Sequence, residues 1–257
     1  ILRLLAMAFT AEGSFTLENL RPFVESWYDR QAAVNSILLG CSVGVAGTVL
    51  GFIFAFAVTR LSLPKWLCAA VSAVTLLPLI SPPFTSSIAL TLSLGPNGIL
   101  LDFFGLGNFN FYGFWGTFIS ETLTFFPVAF MTLSTILARI DPNLEDAAYS
   151  LGASSFKVFR TVTLPLAAPG IANAFLLVFS CSLADFATPQ VLGGHSFPVL
   201  PTQAYLVITG MYDFKGGAAL SFMLLIPAII VYSLQRWWVG KKSYVTVSGK
   251  AGGRSSV

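Results

Sequence analysis

The sequence predicts an all-α, polytopic transmembrane helical bundle: about five complete spans, a truncated one at the N-terminus, and a helical loop on one side. Three observations carry this. The 257 residues are 55% hydrophobic and only 10% charged, with a mean hydropathy of +0.79, too little charge for the surface of a soluble domain of this length. The apolar residues fall into runs close to the roughly 20 residues a helix needs to cross about 30 Å of hydrocarbon. The basic residues between those runs are segregated to alternate connections, as the positive-inside rule expects.

Residues 1–9 are apolar but too short to cross, and are expected to be the outer end of a span that starts earlier; no cleavage-site pattern marks a signal peptide. Residues 10–35 are polar and mixed, with a short surface helix expected over 17–28. The first complete span is 36–59. In it Gly40, Gly44, Gly47 and Gly51 recur every three or four residues, a smooth stripe suited to close helix packing. After a basic turn at 60–65 comes an interrupted span, 66–94. Pro78, Pro82 and Pro83 free backbone carbonyls in mid-membrane, beside Ser81, Thr85, Ser86 and Ser87. Two readings stay open here: a proline kink, or a segment lining a translocation path.

Residues 95–112 read as an outer loop with interfacial aromatics. The span 113–138 holds Glu121, an ionisable group that is costly in hydrocarbon unless it faces the bundle interior. It is either hydrated near the outer interface in a structural role or part of a path. The next span, 165–188, ends at Asp185, the other path candidate. An outer loop at 189–216, with a short helix over 202–209, precedes the last span, 217–239. The basic, Gly/Ser-rich 240–257 reads as a linker. Three regions follow: 1–35, 36–239 and 240–257.

One side of these spans carries Arg60, Lys65, Arg139, Lys157, Arg160, Arg236, Lys241, Lys242, Lys250 and Arg254, and the other only Arg21, Arg30 and Lys215. The first side is therefore expected to be cytoplasmic. It includes residues 141–165, DPNLEDAAYSLGASSFKVFRTVTLP. Asp141 suits an N-cap, Pro142 the first helical position, and Glu145 and Asp146 the first turn, where negative charge complements the helix dipole. Gly152 can take the left-handed conformation that ends the helix. Ser154 or Ser155 can cap a second helix with Phe156, Phe159 and Val162 on one face, and Pro165 is expected to break that run.

The spacing Asp146-Ala147-Ala148, three residues, Gly152, nine residues, Val162, one residue, Leu164-Pro165 resembles the Glu-Ala-Ala motif of type I ABC-importer permeases, with Asp146 in place of Glu and Val162 in place of Ile. The resemblance implies an ATPase-coupling role for Glu145, Asp146, Ala147, Ala148, Gly152, Val162, Leu164 and Pro165. It implies as partners ABC ATPase subunits that carry ATP and Mg, a periplasmic or lipid-anchored solute-binding protein, and a second permease domain, fused or separate. It places the chain in the bacterial inner membrane, surrounded by lipid. Residues 184–194, ADFATPQVLGG, and the tail 242–250, KSYVTVSGK, resemble segments of ferric-iron permeases, the tail being like the linker between two fused halves. That implies the first half of a ferric-iron permease; polyamine, phosphonate or sulfate-like cargo stays open. From the proline interruption and the intramembrane carboxylates, the candidate path residues are Pro78, Ser81, Pro82, Pro83, Thr85, Ser86, Glu121 and Asp185.

The sequence holds no G-x-x-x-x-G-K-[ST] phosphate loop and no H-E-x-x-H, and its single histidine, His195, has no obvious nucleophile beside it. No catalytic residue, bound cofactor or metal is expected on this chain, and no nucleic-acid partner. Cys41, Cys68 and Cys181 have neither metal spacing nor a close pair, and read as small apolar residues. A secondary transporter driven by an ion gradient is the other class. It needs paired intramembrane charges, and only Glu121 and Asp185 qualify.

Overall fold

In hydrocarbon, helices gain no hydrophobic advantage from associating, so residues that allow close backbone approach decide which ones pack. The glycine stripe does this. In the computed structural model, which describes residues 2–11, 14–16, 18–21, 25–81, 83–95, 98, 99, 103 and 111–241, the stripe lies on the long helix Trp27–Arg60. The helices, in order, are α1 (Leu2–Phe9), α2 (Trp27–Arg60), α3 (Lys65–Ile80), α4 (Pro83–Leu94), α5 (Phe114–Arg139), α6 (Pro142–Ser150), α7 (Ser155–Val158), α8 (Leu164–Ala184), α9 (Ala187–Leu192), α10 (Leu200–Gly210) and α11 (Phe214–Lys241).

A side-chain carbon added at Gly40 would lie 3.1 Å from the Phe179 ring, and one at Gly44 2.7 Å from Phe175. At Gly47 it would meet Val178 at 3.0 Å, and at Gly51 Ala129 at 2.6 Å and the Phe130 amide nitrogen at 2.7 Å. The stripe thus faces α8 through Gly40, Gly44 and Gly47 and α5 through Gly51. The core that follows is a three-helix one: Leu39, Val43 and Ala55 of α2, Ala129, Phe130, Leu133 and Leu137 of α5, and Ala167, Ala174 and Val178 of α8.

Among the described residues four helices are long and apolar enough to cross a membrane: α2, α5, the continuous run Ser155–Ala184, and α11. A fifth span is formed if α3 and α4 count as one. The interrupted span is more than a kink, since the axes of Lys65–Ile80 and Thr85–Leu94 differ by 101°. Helix α1 packs on α11, with the Phe9 and Phe222 rings 4.8 Å apart. A small antiparallel pair, Thr10–Ala11 with Ser14–Phe15, follows it.

Four expectations need correction. The helix that carries the first span starts at Trp27 and not at 36: Ser26 accepts a hydrogen bond from the Asp29 amide at 3.2 Å and starts it there. At 34 residues α2 is about 51 Å long, so it extends well outside the hydrocarbon. Pro165 does not break the chain. The segment Phe159–Thr163 is a π-helix in which the Leu164 amide bonds to the Phe159 carbonyl, so the helix widens just ahead of the proline ring and continues. Phe156, Phe159 and Val162 do not share one environment: Phe156 is 72% exposed, Phe159 and Val162 are half-buried, and Val158 and Thr163 are the buried positions. Residues 189–216 are folded onto the bundle. Leu192, Val199 and Leu200 are buried, the Asn35 amide donates to the Pro198 carbonyl at 2.8 Å, and Ser36 accepts from the Leu200 amide at 2.8 Å. The helix expected over 202–209 is present as α10. Most of 95–112, part of 17–28, and the linker beyond Lys241 lie outside the described residues.

Gly51→Ala should lower stability by about 1–3 kcal/mol, because the new methyl meets backbone that cannot turn aside. Gly210→Ala, with nothing within 4 Å, should leave the unfolding temperature in detergent unchanged. Equal temperatures for both variants would contradict close packing at Gly51.

Candidate functional site: the loop between α5 and α8

The loop is built by local signals that the sequence carries openly. The Asp141 carboxylate accepts from the Asn143 amide at 3.0 Å, and Pro142 opens α6. At the other end Gly152 has φ +81°. Its amide bonds to the Tyr149 carbonyl at 2.9 Å, and the Ala153 amide bonds to the Ala148 carbonyl at 3.1 Å. These two bonds form a Schellman stop, which satisfies carbonyls the helix end would otherwise leave open.

Helix α6 has two unlike faces. Asp146 and Ala147 are exposed, and Ala148 is half-buried. Leu144 is 48% exposed, Tyr149 47% and Leu151, just past the helix, 88%; with Phe156 at 72% they give the loop several partly exposed apolar side chains. Glu145 is turned inward. Its Oε1 accepts from the Thr163 hydroxyl at 2.7 Å and lies 3.5 Å from Arg60 Nε, an ion pair without hydrogen-bond geometry. Arg60 Nη2 donates to the Leu137 carbonyl at 3.0 Å and the Ile140 carbonyl at 3.2 Å, capping the end of α5. Val162 and Leu164 are half-buried and Pro165 is exposed at the foot of α8. The last three motif positions therefore join the loop to the span and do not extend the exposed face of α6.

Sequence reasoning missed Arg60 and Thr163. Arg60 lies 77 and 80 residues from its carbonyl partners, and it was read only as one of the basic residues flanking a span. Thr163 falls in an unspecified position of the motif.

The path candidates are less concentrated. Pro78 lies inside α3, Ser81 is half-buried at the break, and Thr85 is exposed and Ser86 half-buried on α4. Pro82 and the side chain of Pro83 lie outside the described residues. Ser87, the last hydroxyl of that cluster, is buried, 3.4 Å from the Ser120 hydroxyl. Glu121 is fully buried and accepts from the Ser182 hydroxyl; the expectation of a hydrated carboxylate is overturned because α8 covers it. Asp185 follows on the same helix as Ser182. Its carboxylate accepts from the Ala187 amide at 2.9 Å and so starts α9. Burial pushes the Asp185 carboxyl above its usual range, against hydrogen bonds from Thr188 and Ala187 that favour the charged form. Among the described residues no group of three His, Cys, Asp or Glu side chains could hold a metal ion, and the three cysteines are free.

Membrane-crossing helices joined by a short, capped loop helix define a class: a multi-pass helical membrane protein. The comparisons make that class specific. The family described as binding-protein-dependent transport system inner membrane component matches residues 47–243. The ferric transport system permease protein FbpB of Actinobacillus pleuropneumoniae is 38% identical over 244 residues, covering 93% of this chain and 35% of the relative. The putative ferric transport system permease protein FbpB 1 of Haemophilus influenzae is 37% identical, covering 93% of this chain and 38% of the relative. This chain thus spans little more than a third of the length of these relatives. A bacterial alginate ABC transporter, solved with a periplasmic protein bound to alginate pentasaccharide, has a chain of the same fold: TM-score 0.76, 15% identity, 93% of this chain and 88% of that one. This chain belongs to the family of binding-protein-dependent transport system inner membrane components.

Gly152→Val should strain the Schellman stop by about 1–2 kcal/mol, since a β-branched residue is disfavoured at positive φ. Hydrogen exchange should speed up in residues 150–158 and stay unchanged in α5. Unchanged exchange across the loop would show that the stop does not depend on glycine.

Proposed function

We propose that this chain forms one permease half of an ATP-driven importer, coupled to an ATPase through residues 141–165, with ferric iron as cargo. The observation that carries the coupling role is the exposed face of α6. Leu144 and Tyr149 on this capped helix are about half exposed, and Leu151 at its end is 88% exposed. An exposed apolar patch of this kind on an otherwise well-packed element marks an interaction site. Asp146, Ala147 and Ala148 supply the motif's central turn, and Gly152 ends it. The ferric reading rests on the similarity to the FbpB relatives and on residues 184–194, which form the turn at Asp185 and the buried helix α9.

The remaining partners follow from this reading. ATP and Mg are bound by the ATPase, a solute-binding protein delivers cargo to the face carrying α9 and α10, and a second permease domain completes the path. On this account the break between α3 and α4 borders the path. Backbone freed at membrane depth is tolerated only against protein or water, and Ser81, Thr85 and Ser86 sit beside it.

Ala147→Glu should abolish ATPase co-purification and ATP-driven uptake of radioactive ferric iron while the permease still reaches the membrane, because it places an unpaired charge in the contact. Normal co-purification would remove the coupling role. In a background lacking the native cysteines, Asn143→Cys should label only from the cytoplasmic side and His195→Cys only from outside with an impermeant thiol reagent. Labelling of both from one side would reverse or break the proposed orientation.

A further inference from the structure

Helix α6 has nine residues, too few to hold an orientation by itself in water. Its orientation must come from contacts with the spans, and its inward side offers only Glu145 and Ala148. Ala148 can pack but cannot direct. Glu145 can, because one of its oxygens meets two partners from different helices: the Thr163 hydroxyl at 2.7 Å and Arg60 Nε at 3.5 Å. The ion pair is shielded, with side chains 11% and 17% exposed, so it is screened far less than a surface pair.

We propose that Arg60 and Thr163 are positioning residues that hold α6 in its docking orientation before the ATPase arrives. The proposal rests on the docking reading given above and adds two residues that no motif contains. Through Arg60 the Glu145 carboxylate is tied to the end of α2, and through Arg60's bonds to the Leu137 and Ile140 carbonyls it is tied to the end of α5. Through Thr163 it is tied to the π-helical segment that runs into α8. The feet of the three core helices therefore converge on one carboxylate. None of these side chains is an exposed one, since Thr163 is 2% exposed and the Arg60 and Glu145 side chains are 11% and 17% exposed. Their contribution to docking is indirect. A helix already held in its bound orientation loses less conformational freedom on binding, so the same surface binds more tightly.

The geometry also fixes which changes matter. Thr163→Val keeps the shape of the side chain and removes only the hydroxyl. Thr163→Ser keeps the hydroxyl and removes only the methyl. Arg60→Gln removes the charge that faces Glu145 and the fork that reaches two carbonyls.

The test is a titration of labelled ATPase subunit onto the full permease in lipid nanodiscs, with Ala147→Glu as the control for docking itself. Thr163→Val should weaken ATPase binding about tenfold, the effect of losing one hydrogen bond to a charged group; Arg60→Gln, which removes a shielded ion pair and two bonds to carbonyls, should weaken it at least as much, and Thr163→Ser should restore it to within about twofold of the original. Wild-type affinity in Thr163→Val and Arg60→Gln, with binding abolished in Ala147→Glu, would overturn the positioning role and leave the docking reading standing. Equal loss in Thr163→Val and Thr163→Ser would overturn it as well, by assigning the effect to packing and not to the hydroxyl. Unchanged binding in Ala147→Glu would overturn the docking reading, and the positioning role with it.

Discussion

The close approach of α2 to α5 and α8 through four glycines is the contact on which the rest of the molecule depends. At Gly51 the α5 backbone comes so near that no side chain fits, and dispersion between tightly apposed helices is what the membrane leaves available for cohesion. This approach sets where each helix ends. Nine residues beyond Gly51, Arg60 reaches the open carbonyls at the foot of α5. At the opposite end Asn35 and Ser36 reach the chain at Pro198 and Leu200. The loop that faces the cytoplasm in the proposed orientation and the folded segment on the other face are thus both fixed to the same rigid core.

The π-helical segment Phe159–Thr163 has a related role. Pro165 cannot donate to the carbonyl four residues before it and would collide with it in a regular helix. Widening the preceding turn removes the collision and keeps the chain helical from Ser155 to Ala184. Phe159, at the start of the widened turn, packs its ring on Phe56 at 5.5 Å and on Phe52 at 6.1 Å. A movement applied to the loop would therefore be carried directly into α8 and onto α2, without a flexible joint between them.

Much of this was legible in the sequence because it is encoded locally. Asp141, Pro142 and Gly152 are cap and stop signals read within a few residues, and the glycine stripe is a periodicity within one helix. The rest depends on contacts across the bundle. Arg60 looked like one more basic residue at a membrane boundary, since nothing nearby in sequence indicates that it points at a carboxylate and two carbonyls. Glu121 looked hydrated because depth along its own helix is visible in the sequence, whereas its cover by α8 is not. The stretch 189–216 looked like an outer loop with one short helix because its anchoring depends on distant residues: Asn35 holds the Pro198 carbonyl and Ser36 the Leu200 amide. Pro165 was taken as a break because propensity does not foresee a widened turn.

The central claim is that the exposed face of α6 is where the ATPase binds. A photo-crosslinking residue in place of Leu151, which is 88% exposed, tests it most directly in membranes containing the assembled transporter. The account predicts a crosslinked product containing this chain and the ATPase subunit, and none when the same residue replaces Ile53, which is 55% exposed on the membrane-spanning part of α2. Crosslinking of Leu151 to lipid alone, in a complex that still hydrolyses ATP, would contradict it.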